Sequence, residues 1–416
     1  MLARFKRYVT GQHLIPDGTA VLLAVSGGRD SVAMADLFHR VGIPFEVAHC
    51  NFNLRPGDCD RDEAFVCRLA DRFGVPCHVA HFDTRAYAAE HGMSIEEAAR
   101  RLRYDYFAQL LFSLSPDSLS PHVLATAHHA DDSVETFFLN LFRGTGIHGL
   151  HGIRPISIQA TKQSSNQSIT VIRPMLGFSR ADIDAYVAER GLEFVEDSTN
   201  AELDARRNRI RHQLMPLLRE LYPSVDQTML ANIERLHDTE LILDAYIAQL
   251  REQYIKPYAS ILPATHYQLP PIEALDLSAE PFHETALQPT ILFELLRPYG
   301  FNAATVADIL AASETGRLFY TPTHVAELHR GQLLIAPIPA PPVETSHETS
   351  LQQPTRLWRP GDRFRPKGMH GTRLVSDFLK DLHLSRIEKQ YVRVRVDGSD
   401  RILAVVGLRD AESVDS

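Results

Sequence analysis

Ala20-Val21-Leu22-Leu23-Ala24-Val25 is apolar at every position and runs directly into Ser26-Gly27-Gly28-Arg29-Asp30-Ser31. A strand without polar alternation must be covered on both faces, which places it inside a parallel sheet flanked by helices. Val32, Ala35, Leu37, Phe38 and Val41 then recur at helical spacing, so the hexapeptide is the turn from strand to helix. Its two glycines permit positive φ and close backbone approach, and the free N–H groups and dipole of a helix start favour an anion. A phosphate suits such a turn, with the serine hydroxyls as further donors. No lysine follows the second glycine, so the loop is not of the Walker A kind. An ordinary strand-to-helix turn is the plain alternative, and the hexapeptide alone does not exclude it.

The same alternation continues to about residue 200. Phe45-Glu46-Val47-Ala48-His49, Cys77-His78-Val79-Ala80-His81 and Val123-Leu124-Ala125-Thr126-Ala127 read as strands. Helical patterns cover roughly Arg61 to Phe73, Ser94 to Phe112 and Asp132 to Leu141. Repeated β-α units imply a doubly wound, mostly parallel α/β sheet, whose ligands bind at the carboxyl ends of the strands. Gln159 to Ser168 reads as a hairpin loop or insertion. Beyond Arg206 the pattern turns helical, most clearly from Val225 to Tyr254; Ala336-Pro337-Ile338-Pro339-Ala340-Pro341-Pro342 opens a linker, and a small α+β domain is expected after it. The expected boundaries are 1–215 for a catalytic domain, 216–336 for a helical one, 337–354 for the linker and 355–416 for the C-terminal domain. A chain of 416 residues has room for them.

No apolar stretch approaches a membrane span, and Met1-Leu2-Ala3-Arg4-Phe5-Lys6-Arg7 lacks a signal-peptide core, so a cytoplasmic protein is expected. Cys50, Cys59, Cys67 and Cys77 form no C-x-x-C pair, which leaves a zinc ribbon, a disulfide framework or a sulfur-carrying dithiol without support. The net charge of −9 argues against a nucleic-acid partner until its distribution is considered. Glu220 to Ser350 holds seventeen acidic residues against six basic, whereas Arg356 to Arg395 holds eleven basic against four acidic. Arg206 to Arg219 adds five arginines and no acid. Such stripes can steer a polyanion to one face, although each alone also fits a solvated helix face.

His128-His129-Ala130-Asp131-Asp132-Ser133-Val134-Glu135-Thr136 falls where a strand ends and a helix begins. Asp131 or Asp132 can cap that helix, and Asp132 and Glu135 share a face of its first turn. The cluster can hold Mg²⁺, receive an ammonium group or position a base, and it matches no usual zinc spacing.

Ser26 to Ser31 matches the S-G-G-x-D-S loop of the N-type ATP pyrophosphatases, and with His128 to Thr136 the whole chain resembles the tRNA(Ile)-lysidine synthetase family. Supporting matches are His49-Cys50-Asn51, Leu54-Arg55, Arg100, Arg103-Tyr104, Asn140-Leu141-Phe142-Arg143-Gly144-Thr145-Gly146 and Arg173-Pro174. Asp197-Ser198-Thr199-Asn200, Arg207-Asn208-Arg209-Ile210-Arg211 and Arg359-Pro360-Gly361-Asp362-Arg363 extend the match nearly end to end. The resemblance implies ATP-dependent ligation of free L-lysine to the 2-position of the wobble cytidine in the CAU anticodon of tRNA(Ile), through an adenylated base. It implies ATP binding by Ser26, Gly27, Gly28, Arg29, Asp30 and Ser31, with Asp30 near Mg²⁺. His129, Asp132 and Glu135 would line the lysine and cytidine pocket, and Arg143 would act with them on phosphate. Arg207, Arg209, Arg211 and, in the basic C-terminal block, Arg363, Arg365 and Lys367 would contact tRNA, as would the helical domain. No protein partner is implied. Three rivals remain at this point: a tRNA thiolase, for which the cysteines are wrong; a small-molecule amide synthetase; and a non-catalytic RNA-binding module.

Overall fold

The computed structural model describes the whole chain except residues 17, 55–56, 115–122, 161–167, 196–204, 280–281, 283–285, 339–353, 370 and 412–416. The Asp197 to Asn200 match, Arg55, most of the hairpin loop and most of the expected linker therefore lie outside the described residues. The chain divides into two compact units, Met1–Leu241 and Ile242–Ser416.

In the first unit α1 (Leu2–Gly11) precedes β1 (Val21–Ala24), α2 (Arg29–Val41), β2 (Phe45–Asn51), α3 (Asp58–Phe73) and β3 (Cys77–His81). Next come α4 (Thr84–His91), α5 (Ile95–Leu114), β4 (Val123–Ala125), α6 (Ala130–Arg143) and the hairpin β5 (Ile156–Ala160) and β6 (Ser168–Ile172). The six strands lie in the order β3-β2-β1-β4-β6-β5. All neighbours are parallel except β5, which pairs antiparallel with β6 at the edge, Ile156 facing Ile172.

The apolar run of β1 serves both faces, as its lack of alternation requires. Val21, Leu23, Val47, Val123, Ala125 and Ile172 pack under α1, α2 and α3 and under α7 (Arg180–Arg190), around the buried rings of Phe5, Phe38 and Phe178. Leu22, Ala48, Leu124 and Val171 face the other way, onto Phe107, Ala108 and Leu111 of α5. Leu23 and Leu124 are fully buried, so truncating either to alanine costs about 2–5 kcal/mol. Strand order reverses between β1 and β4, and in such sheets the ligand crevice opens at that point.

Chain 205–221 then forms one interrupted helix: α8 (Ala205–Arg209), a π-helical turn over Ile210–Leu214, and α9 (Met215–Leu221). Ile210 and Met215 pack with Val134 of α6 and with Val225 and Ile233 of α10 (Val225–Tyr254).

The second unit starts within α10. The acidic stretch, expected to be helical, keeps helices α10, α11 (Gln288–Leu296) and α12 (Ala303–Ala311) and adds a five-stranded antiparallel sheet. Its strands are β7 (Ile255–Pro257), β8 (Glu273–Asp276), β9 (Leu318–Tyr320), β10 (His324–His329) and β11 (Gln332–Pro337), in the order β7-β8-β11-β10-β9. Beyond residue 353, β12 (Thr355–Leu357), β13 (Arg363–Phe364), β14 (Arg373–Leu374), α13 (Val375–Asp381), α14 (Arg386–Lys389), β15 (Arg393–Val396), β16 (Ile402–Val405) and β17 (Arg409–Asp410) build a small α+β part. Along β15, Val394 and Val396 are buried while Arg393 is exposed, the alternation of a sheet with one wet face. Among the described residues no helix is long and apolar enough to cross a membrane.

Candidate active site

The turn after β1 is built from both sides. Val25 donates its N–H to the Ala48 carbonyl at 3.0 Å and accepts from His49 Nδ1 at 2.9 Å. Burial holds the His49 ring below its usual pKa, keeping it neutral and fit for a single donated hydrogen bond. Gly27 adopts φ +91°, and its carbonyl accepts the Val195 N–H at 3.0 Å. A Cβ there would stand 3.4 Å from Val66 and 3.5 Å from Phe65, so the position needs glycine for conformation before space. Gly28 caps α2, Ser31 Oγ donates to the Gly28 carbonyl at 2.8 Å, and the Ser26 and Ser31 hydroxyls lie 3.3 Å apart. The free N–H groups of a thirteen-residue helix thus face a cavity of about 520 Å³. Ser26, Gly28, Asp30 and Ser31 line it together with Tyr104, His128 and Asp132.

Across the crevice, β4 delivers His128 and His129 to the start of α6. His129 is the extended N-cap residue, and its main-chain N–H donates to Asp132 Oδ2 at 3.0 Å. Asp132 is therefore a capping carboxylate, and its second oxygen accepts Arg211 Nη2 at 3.3 Å. Glu135, fully enclosed, accepts Arg207 Nε at 3.0 Å and Arg211 Nε and Nη2 at 2.6 and 2.9 Å. Arg207 Nη2 also donates to Thr136 Oγ1 at 3.0 Å. Arg207 lies in α8 and Arg211 within the π turn that follows it, and such turns recur at functional sites.

The charges set the protonation pattern. Burial drives His128 down to about 4, so it is neutral at physiological pH. Burial also pulls on His129, but three carboxylates outweigh it and raise its pKa: Asp131 at 3.6 Å, Asp132 at 3.5 Å and Asp30 at 3.9 Å. Burial works against ionisation of Asp131 and Asp132 as well; His129 and the neighbouring cations prevail, holding Asp131 at about 2 and Asp132 below the usual carboxylate range. Two adjacent imidazoles thus differ in charge affinity, one fixed neutral and the other ready to hold a proton. A second cavity, about 940 Å³, opens on His129, Asp131, Glu135, Arg211 and Arg219.

The structure brings Ser26 to Ser31, His129, Asp132, Glu135, Arg207 and Arg211 together. Arg29 also lines the loop cavity, held by Asp184 at 2.5 Å with its guanidinium 4.8 Å over the Phe194 ring. Arg143 is exposed in the last turn of α6 and lines neither cavity. Arg209 is exposed, with Nε 3.5 Å from Gln213. Arg363, Arg365 and Lys367 are exposed in the second unit. The four cysteines are free thiols, Cys67 and Cys77 in contact with 3.4 Å between sulfurs. Asp30 meets Arg180, which the sequence had not singled out, at 2.6 Å on both oxygens. Also unforeseen is the fully buried Glu240, which accepts from His148 Nδ1 at 2.7 Å and from Arg154, with His237 at 3.5 Å.

Residues 3–218 match the PP-loop domain family, and residues 273–338 match the TilS substrate binding domain. The tRNA(Ile)-lysidine synthase of Parabacteroides distasonis is 34% identical over 450 aligned positions, which cover 98% of this chain and 95% of that protein. That of Bacteroides thetaiotaomicron is 34% identical over 436, with 98% and 94% covered. That of Geobacter sulfurreducens is 29% identical over 461, with 99% and 94% covered. Among solved structures, a U34-tRNA thiolase from Methanococcus maripaludis aligns with 56% of this chain and 77% of its own, at 16% identity and a TM-score of 0.42.

Proposed function

The chain belongs to the tRNA(Ile)-lysidine synthase family, and on that premise we propose how its two cavities divide the formation of lysidine in tRNA(Ile). The reaction activates the 2-carbonyl oxygen of the wobble cytidine. That oxygen attacks the α-phosphorus of ATP, the bond to the β-phosphate oxygen breaks, and pyrophosphate leaves with the electron pair. The ε-amine of lysine then attacks C2, AMP departs with the carbon–oxygen electron pair, and the amine gives up its proton. The products are AMP and pyrophosphate, and the modified anticodon reads AUA in place of AUG.

The single observation that carries the division is the pairing, across one crevice, of a phosphate-suited helix start with a carboxylate cluster. Ser26, Gly28 and Ser31 hold the polyphosphate through main-chain and hydroxyl donors. No Walker lysine is needed, because the loop retains pyrophosphate and transfers no γ-phosphate. Mg²⁺ accompanying the nucleotide suits hard oxygen ligands, and Asp30 supplies a carboxylate on the cavity wall. It would offset phosphate charge there.

Lysine enters from the second cavity. It is a zwitterion, and the Asp132, Glu135, Arg207 and Arg211 network offers both signs. A carboxylate takes an ammonium while the arginine it releases meets the lysine carboxylate. Asp132, in reach of His129, takes the proton that the bound ammonium sheds to become the attacking amine, and the second proton, lost from the nitrogen after attack, passes to water. Arg209 and the C-terminal cations Arg363, Arg365 and Lys367 contact tRNA phosphates, Arg143 with them, and the enzyme works in the cytoplasm. A thiolase reading has no dithiol motif to support it, and an amide synthetase leaves the basic C-terminal block without a partner.

Equilibrium dialysis with labelled lysine and with ATP tests the division. Glu135→Gln should weaken lysine binding at least about tenfold and leave ATP binding within about twofold. The opposite pattern would reverse the assignment.

A further inference from the structure

Arg180 occupies the first position of α7, whose start is fixed by a capping box between Ser179 and Asp182. Its main-chain N–H donates to Asp131 Oδ2 at 2.8 Å, tying it to the acid cluster. Its side chain reaches the other way, one terminal nitrogen lying 2.6 Å from both Asp30 oxygens in the phosphate loop. A cation in the first turn of a helix opposes the helix dipole, so its placement asks for a reason.

Neutralising Asp30 is an insufficient reason. That pair uses one of the three guanidinium nitrogens; Nε lies 3.8 Å from Asp184, beyond hydrogen-bond reach. About a third of the side chain stays open, and Arg180 alone among the described residues lines both cavities. Arg29 is held by Asp184, and Arg103 lies 5.1 Å over the Phe52 ring. Arg180 is the loop-cavity arginine that keeps a planar fork with unspent donors while touching a loop side chain.

We propose that Arg180 is a catalytic residue of the adenylation step, binding the phosphates of ATP at the border of the two cavities. The proposal rests on the loop cavity being the ATP site. Before ATP binds, Asp30 holds the guanidinium in place. Once ATP is bound, the fork turns to the phosphate oxygens. As cytidine O2 bonds to the α-phosphorus and the bond to the bridging oxygen breaks, negative charge grows on the departing pyrophosphate, where a guanidinium is most effective. No proton moves in this step. The second step breaks no bond to pyrophosphate, so Arg180 contributes little to it.

The test separates the steps. α-Labelled ATP and a CAU tRNA transcript without lysine accumulate adenylated tRNA, which is then chased with lysine. Arg180→Gln should slow adenylation by roughly 100-fold, the usual effect of deleting one donor to developing charge. It should leave the chase within about threefold of the unaltered protein. Arg180→Lys, which keeps the charge and loses the fork, should remain at least about tenfold slow in adenylation with an unchanged melting temperature. Equal slowing of both steps by both variants would overturn the proposal, as would normal adenylation by Arg180→Gln. Recovery of adenylation in Asp30→Asn/Arg180→Gln would also overturn it, reducing Arg180 to a counter-charge. Failure of the unaltered protein to adenylate tRNA would remove the ATP-site reading itself and this inference with it.

Discussion

Replacing Asp132 by asparagine removes one charge and almost no volume from a carboxylate with two jobs. One oxygen accepts the His129 main-chain N–H at 3.0 Å; the other accepts Arg211 at 3.3 Å. An asparagine can keep the first bond through its carbonyl but then turns an NH₂ group toward a guanidinium. The loss is one long charge-assisted bond plus the attraction to His129, about 2 kcal/mol. In a unit of this size that lowers the melting temperature by roughly 4–8 °C. Against a typical stability of about 5–15 kcal/mol it leaves well over 99% of the protein folded at 25 °C. Activity should change far more. If Asp132 takes the ammonium proton, lysine transfer from preformed adenylated tRNA should fall about 10²–10⁴-fold, the range general-base removal covers. Adenylation without lysine should fall much less. Because the Asp132 charge also raises His129, any alkaline limb of the chase rate due to His129 should move to lower pH in the variant. A single-turnover lysine chase between pH 6 and 9 reads all of this. A chase rate within about threefold of the unaltered protein would refute the base assignment, whatever the melting temperature.

Gly27→Ala forces a side chain onto φ +91° and should cost about 1–3 kcal/mol and weaken ATP binding; an unchanged melting temperature with full ATP affinity would show that the loop tolerates a Cβ. Glu240→Gln keeps an acceptor for His148 and Arg154 but removes the buried negative charge that pairs with them, and should destabilise by about 2–3 kcal/mol at neutral pH. Burial opposes ionisation of Glu240, but His148, His151 and Arg154 overcome it and lower its pKa. Its stabilisation is therefore present above the unfolded carboxylate pKa and lost as pH falls through the lower folded value, so the deficit of the variant should shrink under acid. A deficit constant down to acid unfolding would contradict this. Arg363→Glu with Lys367→Glu should reduce the slope of log affinity for tRNA against log salt by about 2 and leave single-turnover adenylation at saturating tRNA unchanged; an unaltered slope would place the tRNA elsewhere.

The glycine turn after β1 and the acid cluster at the start of α6 were legible in the sequence because each is local chemistry. An unbroken apolar strand, a glycine pair and a helix start lie within twelve residues, and Asp132 and Glu135 follow His129 at cap spacing. The doubly wound sheet followed from the same alternation. What could not be read is pairing across the chain. Arg207 and Arg211 look like an outward basic stripe, yet both reach Glu135, more than seventy residues earlier. Arg180 meets Asp30 across 150 positions. Its one local signal was a basic residue inside a capping box, where the helix dipole favours an acid. Glu240 sits on a long helix where a glutamate ordinarily faces water, and nothing nearby announces that His148 and Arg154 will cover it. The sheet of the acidic stretch escaped because β7 and β9 have three residues each, too few for a period of two to show.

The most direct test of the central claim, that the loop cavity adenylates a tRNA base and the acid cluster then delivers lysine, is one incubation of the purified protein. It contains ATP, labelled lysine and a tRNA(Ile) transcript with a CAU anticodon. The account predicts one label per tRNA at the wobble cytidine, formed only with ATP and matched by equal AMP and pyrophosphate. Absence of label under conditions in which a tRNA(Ile)-lysidine synthase of known activity labels the same transcript, or formation of ADP in place of AMP, would contradict it.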